Sequence, residues 1–241
     1  MIRGLYNVAS AMEVAARNQE VVSNNLANLN TPGYRRQGNY FEVQSNLQSS
    51  DPATESAARP QRGASSFNYM DSGPLEQSGN QFDLALSGNA FFTLEGPTGP
   101  IYTRNGSFEL GPGGELQARG SGYRVRGQGA PLTLPTNAGR VAIAADGTVQ
   151  ANGAVVGRLE LASFAQPDSL RRVGPTLFQG DNPQTPAPGA ARVEQGFREG
   201  ANVQAVQEMV SMMLGLRYYE AAEKAVKTMN DAVSLNTKPQ Q

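Results

Sequence analysis

Hydrophobic residues recur along the N-terminal stretch in alternating steps of three and four. Leu5, Val8, Met12, Ala15, Gln19, Val22, Leu26 and Leu29 make the series, and Gln19 alone is polar. The spacing predicts a long amphipathic helix with a heptad stripe. Asn30-Thr31-Pro32-Gly33 ends it, because the residue before a proline is pushed out of the α region and glycine suits the turn that follows. The C-terminal end has the same character. Val206, Met209, Met213, Leu216, Tyr219, Ala222, Val226, Met229 and Val233 follow one another at steps of three or four, with Asn202 placed as an N-cap. A helix over residues 203–235 is roughly 50 Å long at about 1.5 Å per residue. Its stripe needs a partner, since most helical stability comes from packing.

The middle of the chain changes period. Phe82, Leu84 and Leu86 alternate with Asp83 and Ala85, and Ala90 to Glu95 reads as a second strand. Gly96-Pro97-Thr98-Gly99 and Gly111-Pro112-Gly113-Gly114 are turns. Between them, residues 101–110 read as a strand or as a pair kinked at Asn105-Gly106. Short strands are expected over 115–119 and 123–126. Residues 141–143 and 148–150 form a hairpin about Asp146-Gly147, and a longer strand runs over 154–164. Of 27 glycines, 22 lie from Gly63 to Gly196, so the ends are permissive for helix and the middle is rich in turns. Residues 34–80 are polar and weakly patterned, the look of an extended connector.

Composition removes several function classes. The 241 residues include no cysteine and no histidine, which excludes disulfides, the usual zinc sites, thiol nucleophiles and imidazole chemistry. The net charge of -1 disfavours a nucleic-acid partner. No phosphate-binding Gly-Lys-Ser/Thr triplet is present. Asp83, Glu95, Glu109 and Glu115 are scattered through strands, without the pairing in one cleft that a glycosidase needs. Arg35-Arg36 and Arg171-Arg172 read as surface pairs. No catalytic residue, metal site, cofactor or small-molecule substrate is expected. The N-terminus carries polar and charged residues where a cleavable signal needs an apolar run.

The most specific tract is Asn24-Asn25-Leu26-Ala27-Asn28, followed by Thr31, Gly33 and Tyr34. On residues alone it reads either as a frayed helix end with local side-chain to backbone bonds, or as a row of amides presented to neighbouring subunits. The tract resembles the signature of flagellar axial proteins of the rod and hook type. The resemblance continues in order through Phe82–Leu86, Gly88–Phe92, Tyr102–Phe108, Glu199–Val203, Glu208–Val210, Arg217, Tyr219-Glu220 and Lys224–Val226. Ala11, Leu216 and Ala222 depart from the pattern. Length favours a rod subunit over the hook protein and leans slightly to the proximal-rod type, while the Phe82–Phe92 tract fits proximal and distal types alike.

The resemblance implies an α+β fold. Residues 1–31 and 200–241 would form a discontinuous axial domain of N- and C-terminal helices in a coiled coil, residues 32–62 an extended connector, and residues 63–199 a β-rich outer domain. It implies a non-enzymatic structural subunit of the bacterial flagellar basal-body rod that transmits torque from motor to hook. Partners would be copies of itself, other rod and hook subunits and the flagellar type III export apparatus, with delivery to the periplasm-spanning rod without a cleaved signal peptide. The residues expected at assembly contacts are Leu5, Val8, Met12, Ala15, Val22, Asn24, Asn25, Leu26, Asn28, Thr31, Gly33 and Tyr34 at the N-terminal end. At the C-terminal end they are Val206, Met209, Met213, Leu216, Tyr219, Val226, Met229 and Val233. The patterning alone leaves two alternatives open: an intramolecular helical hairpin packed on the sheet, and a β-rich ligand- or glycan-binding module with helical oligomerisation ends.

Overall fold

The N-terminal stripe folds into one helix, α1 (Ile2–Ala27), in a computed structural model that describes residues 2–44, 61–129, 132–135 and 139–237. After it come strands β1 (Gln37–Gln44) and β2 (Gln61–Asn68), which pair as a two-stranded ribbon, and far along the chain the helix α2 (Ala205–Thr237). Residues Met1–Ala27, Gln37–Phe67 and Gln204–Gln241 make up the first of two structural units. The span 32–62, expected as an extended connector, therefore contains β1 and the start of β2. The rings of Tyr40 and Phe67 face each other across the ribbon with centroids 6.1 Å apart.

Within this unit α1 and α2 pack side by side and run antiparallel. Asn25 reaches Glu208, while Gln19, six residues earlier in α1, lies against Gly215 of α2. A Cβ on Gly215 would come within 2.8 Å of Gln19 Oε1, so this glycine permits the close approach.

The second unit comprises Asn28–Arg36 and Asn68–Val203. Its strands are β3 (Leu75–Gln77), β4 (Leu84–Ser87), β5 (Phe91–Gly96), β6 (Gly99–Thr103), β7 (Phe108–Leu110), β8 (Leu116–Ala118), β9 (Arg124–Val125), β10 (Val141–Ile143), β11 (Thr148–Ala151), β12 (Ala154–Arg158), β13 (Leu161–Ala162), β14 (Arg171–Arg172), β15 (Leu177–Gln179), β16 (Arg192–Gln195) and β17 (Phe197–Glu199). The largest sheet has the order β14-β15-β6-β5-β9-β8-β7, with β13 also on β5. A three-stranded sheet β10-β11-β12 and the pairs β16-β4 and β17-β3 complete the unit, and the registered pairs are antiparallel.

Alternation along β5 explains its central place. Phe92 and Leu94 point into a core with Leu84, Leu86, Phe108, Leu116, Val149 and Leu159. Phe91 points the other way, into a cluster with Tyr102, Leu170 and Phe178. A strand buried on both faces carries apolar residues on successive positions, as Phe91 and Phe92 do, with Thr93 the one polar residue buried in Ala90–Leu94. Residues 101–110 are the kinked pair, split between β6 and β7. The expected strand over 154–164 is broken at Leu159, whose N–H bonds to Gly147 O while Glu160 turns to Arg126 O. Its first half pairs with β11 and its second with β5, so the chain changes sheets there.

Candidate assembly surface

The described side chains of α1 divide into two sides. Val8, Met12, Ala15, Gln19 and Leu26 are half-buried and Val22 is buried, whereas Glu13, Arg17 and Glu20 are exposed. Leu5 lies in α1 and Val233 in α2, but both side chains fall outside those described. Leu29 lies past the helix end and leaves the stripe, packing instead with Tyr34, Ala201 and Val203.

The α2 stripe departs from the expected one, and the reason is its phase. The positions turned inward are Glu208, Met212, Gly215, Ala222 and Val226, at steps of four, three, seven and four. Val206, Met209, Met213 and Leu216 are 76%, 50%, 55% and 50% exposed. Three successive steps of three carry the expected series from Met213 to Ala222. At about 100° per residue those nine residues sweep two and a half turns, so the series crosses from the outer face to the inner one. Tyr219 and Met229 are exposed and Val226 is half-buried. In the first half of α2 the side that meets α1 carries Glu208, Met212 and Gly215, and the opposite side presents Val206, Met209, Val210, Met213 and Leu214 to solvent.

The asparagine tract works mostly inward. Asn25 is fully buried: its Nδ2 donates to Gln37 O at 3.0 Å and its Oδ1 accepts the Gln37 N–H at 2.8 Å. The same Nδ2 lies 3.4 Å from Glu208 Oε2. A carboxamide suits this place, because it satisfies both backbone groups of one residue at once. Asn24 is exposed. Asn28 starts the turn that ends α1, accepting the Thr31 N–H on its carbonyl and the Thr31 hydroxyl on Oδ1.

Gly33 and Tyr34 belong to the second unit and are buried there. Gly33 has φ of 69°, donates its N–H to Glu199 O at 2.7 Å, and leaves no room for a Cβ, which would lie 2.3 Å from Asn105 N. The ring of Tyr34 is covered by the Arg172 guanidinium, 4.9 Å from its centroid. Asn25, Gly33, Tyr34 and Val22, expected at assembly contacts, are therefore internal.

Three further expectations are corrected, for Arg35, Asp83 and Asn202. Arg35 is not a surface residue but fully buried, with Nη2 2.7 Å from Glu199 Oε1. Arg104 Nη1 stands 3.5 Å from Glu199 Oε2, its guanidinium donates to Leu86 O and Gly88 O, and it lies over the Phe91 ring. Burial pushes the Arg104 pKa down to about 10 against the opposing pull of Glu199, so it stays charged at neutral pH. Arg172 donates to Arg35 O and Asn68 Oδ1, and burial lowers its pKa as well. Asp83, expected on a solvated face, is buried 3.6 Å from Arg198 Nε. Asn202, expected as the N-cap of α2, instead accepts the Arg36 N–H at 2.6 Å and donates to Tyr69 O and Asp71 O. For Asp83, Arg104 and Asn202 the signal available was the motif tract each lies in; Arg35 and Arg172 lie outside those tracts, and pattern alone places arginine outside.

Comparison with known proteins covers both ends and the middle. The family model described as flagella basal body rod protein matches residues 5–35, that of the flagellar hook protein FlgE/F/G D1 domain matches 85–151, and that of the flagellar basal body rod FlgEFG protein C-terminal matches 194–233. The flagellar basal-body rod protein FlgG of Agrobacterium fabrum is 31% identical, over 98% of this chain and 99% of its own. The rod protein FlgF of Rhizobium meliloti is 32% identical, over 91% and 90%. FlgF of Salmonella typhimurium is 30% identical, over 96% and 95%.

Proposed function

Because this chain belongs to the flagellar basal-body rod protein family and is a structural subunit of that rod, we propose that it assembles through its terminal helices, with the outer face of α2 covered by neighbouring subunits. The observation that carries the reading is the exposed series Val206, Met209, Val210, Met213 and Leu214, opposite the side of α2 that meets α1. An apolar stripe of this kind on a charged helix is a binding face. In this reading α1 and α2 form a coiled-coil pair, and the stripe extends that packing between subunits. Methionine and valine suit it, since they tolerate the imperfect packing of neighbours that are not strictly equivalent.

The subunit acts by packing and carries no catalytic step. Its partners are copies of itself and other rod and hook subunits, and it reaches the periplasm-spanning part of the basal body through the flagellar export channel without a cleaved signal. Torque passes through the helical contacts. The alternative of a glycan-binding module is not favoured by relatives that align end to end as rod proteins.

Met213→Glu tests the reading. In the free chain the side chain is half in water, so the melting temperature should stay within about 2 °C, as for a surface substitution. In the rod a charge without a partner would be desolvated at every subunit, at several kcal/mol each, on the order of what buried charges cost. Loss of swimming and of rod material, with an unchanged melting temperature, is expected. Normal swimming would reject the assembly face.

A further inference from the structure

Residues 209–213 hold three methionines with very different access to solvent. Met209 and Met213 are one helical turn apart, 50% and 55% exposed, on the outer face of α2. Met212, adjacent in sequence to Met213, is turned inward with Glu208 and Gly215 and is half-buried. Met12 is half-buried and Met70 packs against the cluster around Phe91 and Tyr102. The two most accessible methionines described thus share the outer stripe, ahead of Met229 at 36%.

We propose that Met209 and Met213 form a paired oxidation site that closes the assembly face while leaving the subunit folded. The proposal rests on the assembly reading given above. The reagent is a two-electron oxidant of the peroxide class. The thioether sulfur attacks one oxygen of hydrogen peroxide, the O–O bond breaks, a sulfoxide S–O bond forms, and the other oxygen leaves as water after proton transfer. Sulfur is oxidised by two electrons and the peroxide is reduced by two.

The sulfoxide turns a flexible apolar side chain into a strongly polar one. In the free subunit its oxygen is hydrated. In the assembled stripe, beside Val206, Val210 and Leu214, that oxygen would lose water without gaining a donor. The penalty falls on assembly and spares folding, because the side of α2 that meets α1 carries Met212 and not its exposed neighbours. Methionine sulfoxide reductases would restore the face.

Oxidation mapping, thermal melting and swimming of variants test this together. Peroxide-treated full-length protein, mapped by peptide mass, should gain oxygen at Met209 and Met213 about tenfold faster than at Met212, the selectivity expected from access. Its melting temperature should hold while both outer sites are fully converted. In cells whose own copy is replaced, Met209→Gln/Met213→Gln sets a polar amide where the sulfoxide oxygen would be. Swimming and rod content should fall at least about tenfold, as for an unsatisfied polar group in an apolar contact. Met209→Leu/Met213→Leu should swim normally and resist peroxide. Equal oxidation of Met212 and Met213 would overturn the proposal. So would normal swimming of the glutamine variant where Met213→Glu fails, and that result would leave the assembly reading standing. If Met213→Glu also swims, the assembly reading itself falls.

Discussion

Glu199→Gln removes the carboxylate that sits between two buried guanidiniums while barely changing side-chain volume. In the native unit Glu199 pairs with Arg35 at 2.7 Å and Arg104 at 3.5 Å, and accepts the Gly73 N–H at 3.0 Å. At an effective dielectric of about 20, unit charges at those separations attract by roughly 6 and 5 kcal/mol. Most of that offsets the cost of taking three charges out of water, so the net contribution of the cluster is small. Removing one partner is different, because the desolvation of both arginines remains while the attraction is gone. Losses of about 3–5 kcal/mol are typical of a broken buried pair. For a unit of this size that lowers the melting temperature by roughly 6–20 °C. Glutamine also turns an N–H donor toward groups that are themselves donors, so one contact becomes a clash of like polarity. Urea unfolding of the full chain, followed by tyrosine fluorescence, reads the change, since the chain has no tryptophan and Tyr34 and Tyr102 are buried in this unit. Glu199→Asp, which keeps the charge and shortens its reach, should lose less than Glu199→Gln. A loss under about 1 kcal/mol for Glu199→Gln, or equal losses for the two variants, would refute the electrostatic account and leave packing as the cause.

Other substitutions separate the internal roles of the motif from its surface. Gly33→Ala must hold a positive φ with its Cβ against Asn105 N, so a loss of about 2 kcal/mol or more is expected in thermal melting. Asn25→Leu keeps the volume but leaves both backbone groups of Gln37 without the carboxamide, and should cost about 2–4 kcal/mol with faster exchange of the Gln37 amide. The Asp146 carboxylate accepts the Thr148 N–H and hydroxyl, which hold its pKa below the ordinary value. A depressed carboxylate stabilises above its unfolded value near about pH 4 and loses that contribution as pH falls through the folded one. The Thr148 amide resonance should therefore titrate below about pH 4, and Asp146→Asn should abolish the titration.

The helices and central strands were legible because they carry a period. The stripe from Val8 to Leu26 and the alternation of Phe82, Leu84 and Leu86, whose side chains share one core, each repeat often enough to fix element and face. Strands outside the patterned middle were not legible: Leu75–Gln77 and Arg171–Arg172 are three and two residues long, too short to show a period. The α2 stripe failed for a subtler reason. In its first half the outer face is the more apolar one, while the face that meets α1 carries Glu208 and Gly215, so a series that follows hydrophobicity takes the outer face. Glycine at 215 was the available clue, since a close helix contact asks for a residue without a Cβ.

The asparagine tract shows why a family signature need not mark the contact surface of the family. At Gly33 the backbone has positive φ, and the backbone of Asn105 lies where a Cβ would stand, so one residue type fits. At position 25 the side chain must donate and accept toward the same backbone residue, which narrows the choice to a carboxamide of the right length. At position 34 a flat ring is needed beneath the Arg172 guanidinium. Each demand is specific enough to leave a recognisable letter in the sequence. The outer face of α2 makes no such demand. Val206, Met209 and Met213 offer apolar area, and several hydrophobic residues would offer nearly as much. The residues that identify the chain are thus those that determine how it folds. The surface through which it is proposed to work is written in the least specific part of the sequence, and it becomes visible once burial separates the two sides of the helix.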